Sequence, residues 1–396
     1  MMNFLFSSFR IGKWRIQVPA FIWFVLAFAA VLAETLRGSI NNYQVYKHVF
    51  LHVLDQTNLY ASYPAEYQDV NNYGPVFSWV IAPFALLPDW LGVILWALTN
   101  AWILFYAISR LPVDRQSVKI MLLITTLEMM TSIHNVQFNP MVAAWLILAF
   151  VLVEKEKDFW GTLFIAAGFL VKIYGIVGLL FFLFSKHRVK FSLSFIFWIA
   201  VLFCLPMFLS SPGFIVQTYH DWMEALIVKN NKNIGDLSAS NMQDICVMGM
   251  IRRIFHPQGF ADWMVLLPAA ALLLLPLLRF RQYQRLEFRL RYLALLLITV
   301  VVFSTSAESA TYAIALPGVA IWYILNYRRP AATWIHVVLV FVLVVTSLSP
   351  TDLFPAYIKT HFIRPYSLKA LPCFVVWLLL VAEVMFRSYV PARKDR

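Results

Sequence analysis

Apolar runs recur along the chain at about 18–33, 91–108, 190–209, 263–278, 292–303, 312–325, 331–348 and 370–386, each bounded by polar or basic residues. A helix that crosses hydrocarbon needs roughly 20 apolar residues, and backbone in lipid must satisfy its hydrogen bonds within helices. The pattern predicts an all-α, polytopic membrane protein with about 12 transmembrane helices, forming a single integral membrane domain over 1–396. VFSWVIAPFALLP, residues 76–88, is short for a crossing and reads as a partial or re-entrant segment. The first long polar interval, Glu34 to Pro75, follows the first apolar run. Within it, residues 42–55 place Tyr43, Tyr46, Phe50, Val53 and Leu54 on one helical face and Gln44, Lys47, His48, His52 and Asp55 on the other, which predicts an amphipathic helix along a membrane surface. Tyr60, Tyr63, Tyr67 and Tyr73 then stand among Glu66, Asp69, Asn71 and Asn72. Tyrosines, amides and carboxylates suit a sugar's hydroxyls and C–H faces. They equally suit an interfacial aromatic belt.

Composition rules out an ordinary soluble domain. The chain is 61% apolar and 13% charged, against a charged fraction of about 25% in soluble domains, and its mean hydropathy is +0.72. The net charge of +12 comes from basic residues that punctuate apolar runs, as expected of loops held on the cytoplasmic side, so nucleic acid is not an expected partner. Cys204, Cys246 and Cys373 form no CxxC pair and imply no disulfide framework.

Arg10, Lys13 and Arg15 precede the run from Val18 to Ala33 in the manner of a signal peptide; with so many spans following, the run reads as an uncleaved first helix, amino terminus inside. SKHRVK (185–190), RFRQYQRLEFRLR (279–291), NYRRP (326–330) and the tail FRSYVPARKDR read as cytoplasmic. Segments 34–75, 210–261, 304–312 and 347–370 are then extracytoplasmic. An alternative parity fuses 159–185 into one long helix; the preferred one keeps Arg110, Arg115 and Lys119 cytoplasmic. A transporter would more often show inverted repeats and ionisable residues near mid-membrane. No repeat is evident, and the one clear mid-segment charge is Lys172 in GFLVKIYGIVGLL. Polar loops gathered on one face suit an enzyme that draws a lipid-linked substrate from the membrane and an acceptor from water.

NLYASYPAEYQDVNNYGPVFSWVIAPFALLPDWLGVILWALTNAWILFYAI resembles glycosyltransferase family 87, the polyprenyl-phosphate-sugar-dependent glycosyltransferases, whose pattern is a tyrosine, a proline-started apolar segment ending in Leu-Pro, and a Trp-rich helix. HNVQFNPMVAAWLILAF is similar to that family's Gly-Gln-x-Asn segment through Gln137 and Asn139, and LVKIYGIVGLLFFLF to its Leu-Lys-x-Tyr-Pro segment through Lys172 and Tyr174, with Gly175 in place of the proline. SNMQDICVMGMIRRIF matches its Asn-Gln-Ser segment through Gln243 and Arg252. The order is conserved with the family's from about Asn41 to Pro317. Two departures stand out. The family opens its first outer loop with Asp-x-x-Val-Tyr, whose carboxylate is the implied catalytic base; this chain has Asn42-Tyr43-Gln44-Val45-Tyr46, and an amide cannot take a proton as a carboxylate does. The family's later histidine segment corresponds to STSAESATYAIALPG, with Glu308 and no histidine.

The resemblance implies a GT-C-type architecture and transfer of a hexose such as mannose from a polyprenyl-phosphate donor to a glycolipid, glycan or glycoprotein acceptor, at the outer face of the cytoplasmic membrane. Such transfer needs a base near the acceptor hydroxyl and cations on the departing phosphate. Candidate carboxylates are Glu34, Glu66, Asp69, Asp244 and Glu308, with Glu308 placed first as the substitute for Asn42 and Asp69 and Glu66 as its competitors. Candidate phosphate partners are Arg37, Lys47, Lys172, Arg252 and Arg253; Tyr46, Tyr73, Gln137, Asn139, Tyr174 and Gln243 complete the expected substrate-binding set with Asn42. The bland readings are that Glu308 caps the helix after it and that Arg252 and Arg253 anchor a helix at lipid headgroups. His48 and His52 with Asp55 have zinc-like spacing but lack the HExxH glutamate. No metal and no cofactor is expected, since an Asp-x-Asp motif is missing. The rival functions are a transporter or lipid flippase, and a non-catalytic homologue that binds polyprenyl lipid.

Overall fold

The computed structural model describes residues 5–238, 241–329 and 333–389; the basic residues of the tail beyond 389 lie outside them. The protein is mostly helical (73%). Among the described residues, four helices are long and apolar enough to cross a membrane, Val18–Arg37, Asp89–Arg110, Arg188–Phe208 and Leu368–Phe386, with shorter apolar helices between them. The chain divides into two compact units, Met1–Lys232 and Asn233–Arg396. The division falls in the polar stretch VKNNKNIGDLSAS, which has little apolar surface to bury.

In the first unit the basic leader is a β-hairpin, the one departure from all-α among the described residues: β1 (Ser8–Ile11) and β2 (Trp14–Gln17) pair antiparallel. The turn is possible because Gly12 takes φ +58°. α1 (Val18–Arg37) starts with Pro19 in its first turn and ends at Gly38, φ +70°, whose N–H caps the carbonyls of Glu34 and Thr35. α2 (Asn41–Asp55) is followed by an irregular loop and by α3 (Phe77–Ala85). At nine residues α3 is about 13 Å long, under half the hydrocarbon thickness. α4 (Asp89–Arg110), α5 (Arg115–His134), α6 (Asn139–Glu154) and α7 (Asp158–Lys172) complete the core. Asp114 caps α5 by accepting from the N–H groups of Gln116 and Ser117.

α1 and α5 run parallel, because Glu34 meets His134 at one end and Lys119 Nζ donates to the Phe6 carbonyl at the other, 2.7 Å. The run 159–185 is not one long helix. It breaks at Ile173, φ +51°, and the following 3-10 segment Tyr174–Leu183 folds back on α7, with Gly175 against Gly168 and Gly178 against Ile165. A Cβ on Gly175 would lie 2.4 Å from the Gly168 carbonyl carbon, so the reversal needs glycine there. α8 (Arg188–Cys204) and α9 (Pro212–Gly235) follow, the latter carrying the division between units.

The second unit holds α10 (Val247–Phe255), α11 (Trp263–Leu274), α12 (Leu286–Val302), α13 (Tyr312–Ile324), α14 (Thr333–Phe341) and α15 (Leu371–Phe386). α12 and α13 form its core, and Gly318 lets α13 approach the Ala294 carbonyl. Arg291, read from sequence as part of a basic loop, lies inside α12 and is fully buried. Its Nε donates to Glu383 at 2.6 Å and its Nη1 to Glu287 at 2.8 Å. That pairing makes a buried guanidinium tolerable.

Candidate active site

α2 does not lie along a lipid surface. Tyr43, Tyr46, Phe50 and Val53 are buried inside the protein, and only Leu54 of the apolar face is exposed, 44%. Tyr43 donates to the Phe84 carbonyl, 2.8 Å, in the space left by Gly92. On the polar face, Lys47 and Gln44 both bind Asp89, at 2.6 and 2.8 Å. His52 turns inward to meet Glu66 at 2.9 Å, among the rings of Tyr63 and Tyr67. Burial lowers the His52 pKa, offset in part by Glu66. The described residues contain no group of three or more His, Cys, Asp or Glu that could hold a metal ion.

The loop tyrosines are held by the fold rather than strung along a belt. Tyr60 donates to the Tyr73 carbonyl, 3.1 Å, and Tyr63 to that of Asn58, 2.7 Å. Asn71 clamps the backbone of Tyr73, accepting from its N–H at 2.9 Å and donating to its carbonyl at 3.1 Å. Gly74 then bonds to the Val171 carbonyl, 3.0 Å, which joins the first loop to the end of α7. A Cβ on Gly74 would sit 2.0 Å from the Leu170 carbonyl oxygen. Gly74→Ala is therefore expected to lower thermal stability in detergent by about 1–3 kcal/mol through overpacking, and to reduce activity with it.

At this junction several candidate residues meet. The Tyr46 and Tyr73 hydroxyls are 3.2 Å apart, and Tyr46 donates to Gln137 Oε1 at 3.2 Å. Lys172 Nζ lies 5.4 Å from the ring centre of Tyr73 and 5.3 Å from that of Tyr174, and donates to Asn139 Oδ1 at 2.6 Å. Because that oxygen accepts from Lys172, the orientation of the Asn139 amide is fixed. Its Nδ2 is left buried with no hydrogen-bond partner among the described residues. An ammonium and an orphaned amide donor, side by side at a broken helix end, are suited to an anionic oxygen.

Asn42, one turn before Tyr46, donates to the Asn135 carbonyl, 2.8 Å. Next to Asn135, His134 Nε2 stands 3.0 Å from Glu34 Oε1, with the Glu34 side chain 8% exposed and His134 half exposed. Arg37 approaches the same carboxylate at 3.6 Å. His134 escaped the sequence reading although it opens the Gln137–Asn139 segment. Glu128, inside α5, is a fully buried ionisable residue that the sequence reading did not single out. Asp69 is exposed and bonds to the N–H of Val70, 2.8 Å.

The other candidates lie in the second unit. Residues Asp244 and Ile245 pair through their N–H groups with the carbonyls of Thr305 and Ala307, at 3.0 and 2.9 Å. This brings Gln243 Nε2 to Glu308 Oε2 at 3.0 Å. Glu308 also caps the turn Ser309–Thr311 in a reciprocal capping box with Thr311. Arg252 grips buried Asp244 at 2.6 and 3.2 Å and also pairs with Asp262. Burial pushes the Asp244 carboxyl up against the pull of Arg252. Burial works to lower Arg252 too, yet Asp244 and Asp262 hold it above its ordinary value. Arg253 bonds to Ser367 and to the Gln243 carbonyl, and burial lowers its pKa. A phosphate would have to displace Asp244 or Asp262 to reach Arg252.

No curated protein matches the chain. The model described as Glycosyltransferase family 87 matches residues 71–305, more than half of the chain. That span contains Tyr73, Gln137, Asn139, Lys172, Tyr174, Gln243 and Arg252, while Asn42, Tyr46, Glu66, Asp69 and Glu308 fall outside it. With its apolar helices and this match, the chain belongs to glycosyltransferase family 87 and is a membrane glycosyltransferase.

Proposed function

We propose that the protein transfers a hexose from a polyprenyl-phosphate donor to a glycolipid, glycan or glycoprotein acceptor at the outer face of the cytoplasmic membrane, through a GT-C-type fold of about twelve crossings. The observation that carries the reading is the Lys172–Asn139 pair, with its orphaned Nδ2, enclosed by Tyr46, Tyr73, Gln137 and Tyr174. In the reaction an acceptor hydroxyl attacks the anomeric carbon, the bond from that carbon to the phosphate oxygen breaks, and the phosphate leaves with increased charge. Lys172 and Asn139 meet that charge. The tyrosine rings offer flat faces to the sugar or the first isoprene units.

The hydroxyl's proton needs an acceptor that Asn42 does not provide. Within the first unit, Glu34 with His134 stands beside Asn42 and Asn135. The two groups are in ion-pair contact at 3.0 Å rather than in a hydrogen bond, since Glu34 Oε1 has no hydrogen-bond partner among the described residues, and a buried carboxylate against a half-exposed imidazole favours the protonated ring that general-base work produces. Glu66 is paired with His52, and Glu308 is held by Gln243 and its capping box. These contacts favour the Glu34–His134 pair over Glu308, Asp69 and Glu66.

Donor kinetics of Lys172 variants test the donor side of this function. The sidedness has its own test. Ser62, in the loop before Tyr73, is exposed, as is Ser109, at the end of α4 where Arg110 and Arg115 gather. In intact cells an impermeant thiol reagent is expected to label Ser62→Cys, and to label Ser109→Cys only after permeabilisation. The reverse pattern would invert the orientation.

A further inference from the structure

A cavity of about 920 Å³ opens between α1, α4 and α5, and no residue of the proposed transfer site lines it. Its walls are mostly apolar, with Phe21, Phe24 and Phe28 along α1 and Phe105 from α4. It follows α1 from Ala20 to Leu32, a trough about 18 Å long at 1.5 Å per residue. One leaflet of hydrocarbon is about 15 Å deep, so the trough matches the chains of a lipid drawn from a single leaflet.

The charge is confined to one end. Arg15 and Arg115 line the cavity there, and no carboxylate lines it anywhere. The hairpin register sets Arg10 across from Arg15, and the Phe9 ring packs edge-on against Phe21 at 5.2 Å, which holds the hairpin over the mouth. Lys119, on the next turn of α5, ties the preceding segment through the Phe6 carbonyl. The nearest acid, Asp114, is turned into its own helix, accepting from Gln116, Ser117 and the Ser117 hydroxyl. Two guanidinium groups above an apolar trough complement a phosphate on acyl chains. This end is opposite the one at which Glu34 meets His134.

We propose that this trough is a binding site for an anionic diacyl phospholipid of the inner leaflet, clamped by Arg15 and Arg115, and that the bound lipid staples the hairpin and α1 to α5. The proposal goes beyond sugar transfer, and only its assignment to the inner leaflet rests on the orientation proposed above.

The test uses the purified full-length protein in detergent, titrated with phosphatidylglycerol, phosphatidylcholine or a polyprenyl phosphate while its thermal midpoint is followed. Phosphatidylglycerol is expected to raise the midpoint by about 2–4 °C, saturably, and phosphatidylcholine to leave it within error. The shift should vanish in Arg15→Gln/Arg115→Gln, whose side chains are exposed; because Arg15 Nε also donates to Ser8 across the hairpin, 2.6 Å, the midpoint without lipid is the control for the fold. It should also vanish in Ala29→Trp, which fills the trough and keeps the cations. Lys172→Ala should keep it. An equal shift with phosphatidylcholine, or one that survives both sets of substitutions, would overturn the site. A larger shift with polyprenyl phosphate, lost in the double variant, would overturn the assigned occupant.

Discussion

Lys172→Ala is expected to lower kcat/KM for the lipid-linked donor by about 10- to 150-fold, since a hydrogen bond to a charged group is worth about 1.5–3 kcal/mol and each 1.4 kcal/mol is tenfold. The side chain is placed by its bond to Asn139 and by the rings of Tyr73 and Tyr174. Asn139→Leu should produce a smaller loss in the same direction, because it removes the orphaned donor and leaves Lys172 without one of its anchors. Lys172→Arg should recover little. A planar fork does not reproduce a point charge on a flexible stem. Initial rates across donor concentrations, with the thermal midpoint as a control for folding, decide the matter. Unchanged donor kinetics in Lys172→Ala, at full stability, would remove it from the phosphate.

The second large effect concerns the proton. His134→Gln and Glu34→Gln are each expected to reduce kcat by about 10²- to 10⁴-fold, the usual contribution of a general base, while donor KM changes little. Glu34 acts through His134, so Glu34→Asp should restore part of the rate if the shorter carboxylate still reaches the imidazole. A merely structural Glu34 would show its loss in the thermal midpoint instead. Glu308→Gln is the comparison. Its side chain holds a capping box and the Gln243 amide, so its replacement should cost stability more than turnover. Full loss of turnover in Glu308→Gln, with His134→Gln active, would return the base to Glu308; the same result in Asp69→Asn would move it to the first loop.

Much of this was legible in the chain. Apolar runs long enough for hydrocarbon announce a helical membrane protein, and Gln137, Asn139, Lys172 and Tyr174 carry the family pattern at readable spacing. The structure adds what spacing cannot hold. Tyr46 and Gln137 are 91 positions apart and share a hydrogen bond; only the parallel packing of α1 with α5 brings Glu34 to His134. The amphipathic pattern of α2 was read correctly as two faces, but periodicity does not say whether an apolar face meets lipid or protein. Basic residues were counted as loop markers, and Arg110 and Arg115 do flank a loop, at the end of α4 and the start of α5. The same reasoning misplaced Arg291, because a guanidinium with Glu383 and Glu287 in reach can sit inside a helix. The hairpin of residues 8–17 escaped notice because four-residue strands carry almost no periodic signal; Gly12 was its one local sign.

The protein is proposed to join a sugar from a polyprenyl-phosphate carrier to an acceptor. Purified protein incubated with radiolabelled polyprenyl-phosphate hexoses and a membrane lipid extract tests it most directly. One of the hexoses should pass into a new labelled product, with one polyprenyl phosphate released for each sugar transferred, and Lys172→Ala should lose that product. Movement of intact labelled donor between the leaflets of reconstituted vesicles, with no new product from any hexose, would contradict the claim and make the protein a carrier of the lipid instead.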